Sequence, residues 1–354
     1  AITLRGTIMS ITTKQIAELA KVSQSTVSRC LNNSPLVSER TKRKVLKIAR
    51  EHGFQFNANA RSLSTNKTNT IGFVFSQIYT KYGVDINFKS WLDEIMKNLE
   101  DRGYDVIISS FRSKTAKQYQ NSIKKFITAK KVDGLVIMTP ELDEETVEFL
   151  EKTNTPYVLS VFRPDSFASK EVDYIYVDQF KGGYLAAEHL IKLGHRKILS
   201  ISADIEGDVF PLRTAGMKAA FRDYGIEFDE KLLIYGDTTF KSGKRVIQEN
   251  FDLLNGVTAI FAQNDMMALG AISALQQRGI EVPRDMAVVG FDDIELCELF
   301  RPYLTSIQQP APELASLTCE RLVAQLKSKK GGTRQPVAIE PRLIVRESCG
   351  SAIV

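Results

Sequence analysis

From Asn69 onward, short apolar runs alternate with amphipathic stretches, and this alternation constrains the fold more than any other feature of the sequence. Chains in which strands and helices alternate form parallel, doubly wound sheets. The runs fall into two series, TIGFVF, DVIISSF, GLVIM and YVLSVF, then DYIYV, KILSIS, LLIYG, AIFAQ and AVVGF. We therefore expect an α/β body of two lobes, each built on one doubly wound parallel sheet.

The first 68 residues are strongly basic. They hold twelve Lys or Arg residues and three acidic residues, a net charge of +9, whereas the whole chain carries +5. The remaining residues are slightly acidic, with a net charge of −4. Such asymmetry is typical of a polyanion-binding segment on a neutral body, although a basic tail that only improves solubility gives the same pattern.

Several classes of protein are disfavoured by what the sequence lacks. The N-terminus has no apolar core like that of a signal peptide, and no run of about 18 apolar residues occurs, which predicts a cytoplasmic protein without a membrane partner. Neither the four cysteines nor the three histidines have the spacing of a disulfide framework or a zinc site, so we expect no metal and no cofactor. The motifs GxxxxGK[ST], GxGxxG, GxSxG and HExxH are absent, and we interpret His195 as a structural turn residue, so we do not expect an enzyme.

Local capping signals predict three short helices between Thr12 and Gly53. Thr12 and Gln15 form a capping box, and Ser23 and Ser38 can cap the second and third helices. In the second helix Val27 and Leu31 give the buried side, and the exposed side carries Gln24, Ser25, Ser28 and Arg29. The result is a three-helix head around one small core.

Two short helices joined by a tight turn, the second exposing small polar groups and an Arg, are typical of a major-groove reader. Arg29 can donate two hydrogen bonds to guanine, and Gln24 can pair with the edge of adenine. Ser23, Thr26 and Ser38 would hold phosphates at helix N-termini. Many solvated helix pairs have the same spacing, so the pattern alone leaves a plain structural role open.

The run IAELAKVSQSTVSRCLNNSPLVSERTKRKV, followed by NANARSLSTNKTNTIGFV, resembles the head and hinge of the lactose-repressor family of bacterial transcription regulators, and the resemblance extends through most of the chain. It implies that Gln24, Ser25 and Arg29 read bases. The predicted DNA contacts are Thr12, Ser23, Gln24, Ser25, Thr26, Arg29, Ser38, Asn57, Arg61 and Leu63.

The segment Asn57–Ser64 can form a helix of about two turns, which is marginal alone. We expect it to become ordered on binding DNA and a second copy of itself. By resemblance, Leu63 inserts into the minor groove at the operator centre; the alternative is that Leu63 anchors the hinge to the body.

Polar residues directly after the apolar runs are candidate ligand contacts, because ligands of open parallel sheets lie at the carboxyl ends of the strands. Asn264, Asp292 and Gln309 follow such runs, and Arg213 opens a helix. In the family and its periplasmic sugar-binding relatives, the matching positions contact ligand. Three of them also have local alternatives: Asn264 can cap the helix that follows it, Asp292 or Asp293 can cap a following turn, and Arg213 can pair with an acid. Further candidates from the first lobe are Gln77 and Arg163.

We expect three parts: a helix-turn-helix DNA-binding domain at 10–56, a hinge helix and linker at 57–68, and a two-lobed effector-binding and dimerisation domain at 69–347. The first lobe comprises about 69–165 and 303–334, and the second about 166–302 and 335–347. By resemblance, the strand LTSIQQP and the helix Leu314–Leu326 return to the first lobe, and the strand near Arg342 returns to the second.

The resemblance implies a sequence-specific transcriptional repressor, a homodimer on a near-palindromic operator, controlled by a small effector bound between the lobes. The expected effector is a sugar or sugar derivative, and whether it releases or strengthens DNA binding stays open. Ligand would act by favouring one of two lobe arrangements. A periplasmic binding protein would have no use for the basic head, and an architectural DNA-binding protein would have no use for the body.

Overall fold

The computed structural model describes residues 11–31, 34–54, 67–76, 85–111, 117–139, 142–161, 172–205, 207–328 and 334–350. The chain divides into two compact units, residues 1–68 and 69–354, which we call the head and the body. Within the described residues, no helix is both long and apolar enough to cross a membrane.

The described residues of the head form three helices, α1 Thr13–Ala20, α2 Gln24–Leu31 and α3 Glu39–Glu51. The capping box at Thr12 and the cap at Ser38 are both present, as predicted. The core is formed by buried residues from all three helices, namely Ile16, Ala17, Ala20, Val27, Cys30, Val45 and Ala49. Cys30 is the buried partner of Val27 on α2, whereas Leu31 is half-buried at the edge of the core. The prediction that Leu31 completes the buried side was therefore only partly right, because Cys30 lies closer to the centre of the stripe.

The first sheet of the body has six strands, all parallel, and its central strands are buried. The strands are β1 Thr70–Ser76, β2 Asp105–Phe111, β3 Gly134–Met138, β4 Tyr157–Val161, β5 Tyr174–Val177 and β11 Val337–Ile339, in the order β11-β5-β4-β3-β1-β2. The helices packed on it are α4 Asp85–Asp101, α5 Lys117–Thr128, α6 Glu144–Lys152 and α11 Ala311–Lys327.

The second sheet also has six strands, of which only β12 runs antiparallel to its neighbour. The strands are β6 Ile198–Ala203, β7 Leu233–Gly236, β8 Ala259–Ala262, β9 Ala287–Asp292, β10 Thr305–Gln308 and β12 Arg342–Ile344, in the order β12-β10-β9-β8-β6-β7. The helices packed on it are α7 Gln179–Lys192, α8 Val209–Asp223, α9 Phe240–Glu249 and α10 Asp265–Gln277, with 3₁₀ turns at Glu230–Leu232, Phe251–Leu254 and Glu295–Glu298. The predicted α/β class with two largely parallel sheets is confirmed.

Three strands lie in a different sheet from the one that the sequence predicted. The run DYIYV forms β5, which pairs with β4 in the first sheet and does not begin the second lobe. The run LTSIQ forms β10, which pairs with β9 in the second sheet, and β11 pairs with β5 in the first. The expected lobe ranges are wrong at these strands. The physical reason is that an apolar run has the same pattern in either sheet, and long-range backbone pairing decides between them.

The chain passes from one sheet to the other three times, after β5, after β10 and between β11 and β12. Two of these crossovers are hydrogen-bonded together, because the Asp178 amide donates to the Ile339 carbonyl oxygen at 3.0 Å. Gln179 lies two residues after β5 and Gln309 directly follows β10, so both lie at the start of a crossover between the two lobes.

Candidate nucleic-acid interface and ligand site

Helix α2 presents the predicted base-reading side chains to solvent. Its apolar residues Val27 and Cys30 are buried in the head core, so Gln24, Ser25 and Arg29 lie on the exposed side. The Gln24 amide Nε2 donates to the Thr13 Oγ1 atom of α1 at 2.9 Å, which holds the Gln24 side chain against the neighbouring helix. The arrangement leaves a row of polar groups on one face of a short helix, the shape that fits a major groove.

The serines at the starts of α2 and α3 act as helix caps. Ser23 Oγ accepts from the Thr26 amide at 3.1 Å, and Ser38 Oγ accepts from the Thr41 amide at 3.3 Å. Each cap satisfies one of the free amides of a helix N-terminus, and the others can donate to a phosphate oxygen. The predicted phosphate contacts at these positions are therefore compatible with the caps.

Helix α3 adds exposed positive charge to the head. Most of its basic side chains are exposed, namely Arg40, Arg43, Lys44, Lys47 and Arg50. Its two acidic residues form surface pairs, Glu39 with Lys42 at 3.4 Å and Glu51 with Lys47 at 3.8 Å. Exposed pairs of this kind are weak, so the excess positive charge stays available to a polyanion.

Five predicted contacts lie outside the described residues. These are Asn57, Arg61 and Leu63 of the hinge, and Gln77 and Arg163 of the first lobe. They stay predictions.

Three of the predicted ligand contacts meet at the carboxyl ends of the second sheet. Asp292 ends β9, Gln309 follows β10, and Arg213 lies in the second turn of α8. The Gln309 amide Nε2 donates to Asp292 Oδ1 at 2.7 Å, and the Arg213 Nη2 atom lies 3.4 Å from the same oxygen. The long-range fold thus assembles residues that are up to 96 positions apart in sequence.

Aromatic rings and backbone groups hold the Arg213 guanidinium, which is 3% exposed. Its central carbon lies 3.6 Å from the centroid of the Phe291 ring, and its Nη1 atom donates to the Gln263 carbonyl oxygen. Burial lowers the pKa of Arg213 to about 10, against the attraction of Asp292 and Asp265, so the group stays charged at neutral pH. A buried charged donor of this kind has two N–H groups left that can bond a ligand oxygen.

Asp292 and Asp293 have unusual backbone geometry. Their φ angles are +115° and +56°, a region that L-residues other than Asn and Asp adopt rarely. Asp293 is held by Arg346, whose Nη1 donates to Asp293 Oδ1 at 2.6 Å, and by Gln308, whose amide donates to Oδ2 at 2.8 Å. These two bonds hold the turn in place at Asp293.

Asp265, which the sequence did not single out, is fully buried next to this turn. Its carboxylate accepts from Ser306 Oγ at 2.6 Å and from the Ile294 amide at 3.0 Å. Burial raises the pKa of Asp265, and the charge of Asp292 raises it further. Burial also raises the pKa of Asp292, while Arg213 opposes that shift. The second-lobe side of the site therefore combines one guanidinium with two carboxyl groups.

Asn264 is engaged as a helix cap. Its Oδ1 atom accepts from the Met267 amide at 2.9 Å, and its Nδ2 atom donates to the Thr238 carbonyl oxygen at 2.8 Å. Both ends of the amide are thus used within the protein, which matches the local alternative that the sequence left open. A ligand role for Asn264 stays a prediction.

Sequence reasoning missed Gln179, which is 5% exposed and contacts both Arg213 and Gln309. The same strand-end rule that selected Asp292 would have selected it, had DYIYV been assigned to the first sheet. His195, by contrast, makes a local contact, since its Nδ1 atom lies 2.9 Å from Thr258 Oγ1.

A cleft of about 580 Å³ lies beside Asp292 and Gln309, between the N-terminal half of α4 in the first lobe and the strand ends of the second. That volume is within the range of small-molecule sites. Its wall includes Lys89, Ser90 and Arg342 in addition to several acidic side chains. Polar groups of both signs suit a hydroxylated ligand, since hydroxyl groups both donate and accept.

Comparison with known proteins gives matches to both units. Residues 12–57 match the family described as bacterial regulatory proteins, lacI family, and residues 187–349 match a periplasmic binding protein-like domain. The HTH-type transcriptional repressor PurR of Aliivibrio fischeri (strain MJ11) is 33% identical over 344 residues, which are 95% of this chain and 98% of the relative. The HTH-type transcriptional regulator CelR of Thermobifida fusca is 32% identical over 343 residues, with coverage of 95% and 98%.

Two solved structures extend the similarity to the fold. The lac repressor dimer bound to operator and the anti-inducer ONPF matches with a TM-score of 0.80 at 26% identity, covering 96% of this chain and 99% of that one. A complex of the transcriptional regulator CelR with cellobiose matches with a TM-score of 0.70 at 30% identity, again covering 96% and 99%.

Proposed function

This chain belongs to the lacI family of bacterial regulatory proteins, and we propose that its effector is a sugar or sugar derivative bound by Arg213, Asp292 and Gln309. The chain is a DNA-binding transcription repressor with an effector-binding, periplasmic-binding-protein-like body. The predicted family and regulatory function are confirmed, and the relatives are regulators rather than enzymes, as the sequence indicated.

The observation that carries the proposed effector is the cluster at the carboxyl ends of the second sheet. Asp292 accepts, Arg213 donates, and the amide of Gln309 does both, which matches the pairs of adjacent hydroxyl groups on a sugar ring. The nearby cleft has room for a small ligand of this kind. The complex of the related regulator CelR with cellobiose supports the same ligand class.

On the DNA side, we propose that Gln24, Ser25 and Arg29 read bases and that Thr12, Ser23, Thr26 and Ser38 position phosphates. Two copies of the chain would bind a near-palindromic operator in the cytoplasm, with the hinge residues Asn57, Arg61 and Leu63 at its centre. The dimeric, operator-bound structure of the lac repressor supports this arrangement. The effector then shifts DNA affinity by binding one lobe arrangement more tightly than the other.

The DNA part is tested by selecting bound duplexes from a random pool with the purified chain, beside an Arg29→Ala variant at the same salt concentration. We expect enrichment of a near-palindrome that is lost with Arg29→Ala. Sequence-blind binding by the wild-type chain, both alone and with each effector candidate, would contradict the proposed reading of bases.

The effector part is tested by calorimetry with neutral mono- and disaccharides, beginning with cellobiose, and with purine bases as the other class. We expect a sugar to bind the wild-type chain and to bind Asp292→Ala at least tenfold more weakly, because the variant loses the acceptor. Binding of purines alone, or sugar binding that is insensitive to Asp292→Ala, would contradict the proposal. The selected operator then shows whether the ligand releases or strengthens DNA binding.

A further inference from the structure

Three buried side chains, Gln179, Arg213 and Gln309, form a closed ring of hydrogen bonds with the half-buried Asp292 at the ligand site. Gln179 Oε1 accepts from Arg213 Nε at 2.8 Å, and Gln179 Nε2 donates to Gln309 Oε1 at 3.0 Å. Gln309 Nε2 donates to Asp292 Oδ1 at 2.7 Å, and Arg213 Nη2 closes the ring at 3.4 Å from that oxygen. Gln179 is therefore the member opposite Asp292.

The direction of every bond in this ring is determined by its two charged members. A guanidinium only donates, and an ionised carboxylate only accepts, so neither amide can rotate by 180° without placing like groups together. The three bonds that lead from Arg213 through Gln179 and Gln309 to Asp292 run in one sense and polarise one another, and the fourth runs from Arg213 directly to Asp292. Because Gln179, Arg213 and Gln309 are buried, losing one of their bonds leaves a buried polar group without a partner, and the ring is expected to respond as a unit.

The ring also includes residues at the crossovers that join the two lobes. Gln179 follows the crossover after β5, and its Nε2 atom lies 3.2 Å from the carbonyl oxygen of Val177, the last residue of that strand. Gln309 lies in the crossover after β10. The amide of Asp178 donates to Ile339 at the third crossover. Arg213 and Asp292 are therefore each linked to the crossovers after β5 and β10 through at most two hydrogen bonds.

We propose that Gln179 is a positioning residue that fixes Arg213 and Asp292 relative to the crossovers, so that the state of the ligand site and the arrangement of the lobes change together. This inference rests on the proposed ligand site, because it concerns the same two charged residues. A ligand that forms hydrogen bonds with Arg213 or Asp292 would compete with the bonds of the ring. It would therefore weaken the constraint that the ring places on the crossovers.

The test measures the distance between the lobes in the ligand-free, full-length chain. Spin labels are attached to Lys125→Cys on α5 and Lys241→Cys on α9, both exposed, and the four native cysteines are buried. Doubly labelled chains are mixed with an excess of unlabelled chain, and double electron–electron resonance gives the distance distribution. Since no ligand is added, failure of the proposed effector class leaves this readout unaffected.

The variant is Gln179→Met, and the matched control is Gln325→Met. Gln325 is also 5% exposed and also makes three hydrogen bonds, to the Tyr157 backbone and to Asp173, but it lies in the first lobe away from the ring. Loss of a buried amide lowers stability in both variants. We expect only Gln179→Met to shift or split the distance distribution, by roughly 2 Å or more, as in hinge motions.

Coupling to the ligand site is measured with Asp292→Ala in the same assay. We expect it to shift the distribution in the same direction as Gln179→Met, and the double variant to shift no further than either single one. A Gln179→Met distribution that superimposes on the wild type would overturn the proposal, and so would an Asp292→Ala distribution that does not move.

If Gln179→Met does not fold, Gln179→Glu takes its place. The glutamate keeps the acceptor for Arg213 Nε and loses both bonds that Nε2 donates, to Gln309 and to the Val177 carbonyl oxygen, so the ring itself opens at one bond. Gln309→Met removes two bonds of the ring, the one with Gln179 and the one with Asp292, and we expect it to shift the distribution in the same direction as Gln179→Glu. Wild-type distances in both would overturn the proposal.

Discussion

Replacing Gly183 by Ala tests how closely α7 and α8 must approach each other. A Cβ atom at Gly183 would lie 2.0 Å from the carbonyl oxygen of Arg213 and 2.8 Å from its Cα atom. An ordinary C···O contact is about 3.3 Å, so the helices would have to separate by roughly 1.3 Å. The obstructing atoms belong to the backbone and cannot swing aside as a side chain could.

Two effects of opposite sign determine the result. Alanine is favoured over glycine inside a helix by about 1 kcal/mol. Overpacking a close contact costs about 1–3 kcal/mol, and a backbone contact belongs at the upper end or beyond. We therefore expect Gly183→Ala to lower the free energy of unfolding of the body by about 2 kcal/mol. For a unit of this size, that corresponds to a decrease in Tm of roughly 4–8 °C.

The assay is urea and thermal unfolding of the full chain, followed by circular dichroism. Gly72→Ala is the matched control, because its Cβ would lie 2.6 Å from Leu135 Cδ2, the far end of a side chain that can rotate. We expect the control to lose less stability than Gly183→Ala. A Gly183→Ala chain as stable as the wild type, or more stable, would refute the reasoning, since helix propensity would then outweigh the contact.

Three further predictions concern single side chains. Arg29→Ala should weaken binding to the selected operator by about 1–3 kcal/mol, roughly 5- to 150-fold, and should barely change binding to a random duplex. Lys47→Ala, in contrast, should weaken binding to both duplexes equally. Fluorescence anisotropy at fixed salt distinguishes these results, and an equal loss on both duplexes for Arg29→Ala would count against base reading. Arg346→Met should lower the free energy of unfolding by about 3–5 kcal/mol, because it leaves the buried Asp293 carboxylate without its cation. Thermal unfolding measures this loss, and a loss under about 1 kcal/mol would contradict the prediction. Burial raises the pKa of Asp265 from 3.8 to about 8, so the folded state keeps a proton that the unfolded state loses, and stability falls as pH rises between these two values. Urea unfolding across this pH range should show a shallower fall for Asp265→Asn. An unchanged slope would exclude Asp265 as the source.

The head shows how far local signals reach. Capping is a contact between residues three positions apart, so the Thr12 capping box and the Ser38 cap could be predicted from neighbours in sequence alone. The exposed face of α2 followed from the position of Val27, because helical periodicity relates the two faces. Each helix, and the side that carries Arg29, was therefore predictable without any knowledge of the body.

The ligand site was predictable only in part. The strand-end rule selected Arg213, Asp292 and Gln309, and the structure brings these three together. The rule could not distinguish a ligand contact from a cap, and the Asn264 amide is used by Met267 and Thr238. It also missed Gln179, whose partners lie 34 and 130 residues away.

The sequence alone was enough to predict the class of the fold, the basic head with its three helices, the family, and most of the polar residues at the ends of the second sheet. The family follows from the resemblance of the head and hinge motifs, and the other properties follow from periodicity, capping and charge, which act over a few residues. Only the tertiary structure decided which sheet β5, β10 and β11 join, and through them where the crossovers lie and that Gln179 closes a ring with Arg213, Gln309 and Asp292. An apolar run pairs equally well in either sheet, so its place depends on backbone hydrogen bonds between segments far apart in the chain, which no local pattern encodes.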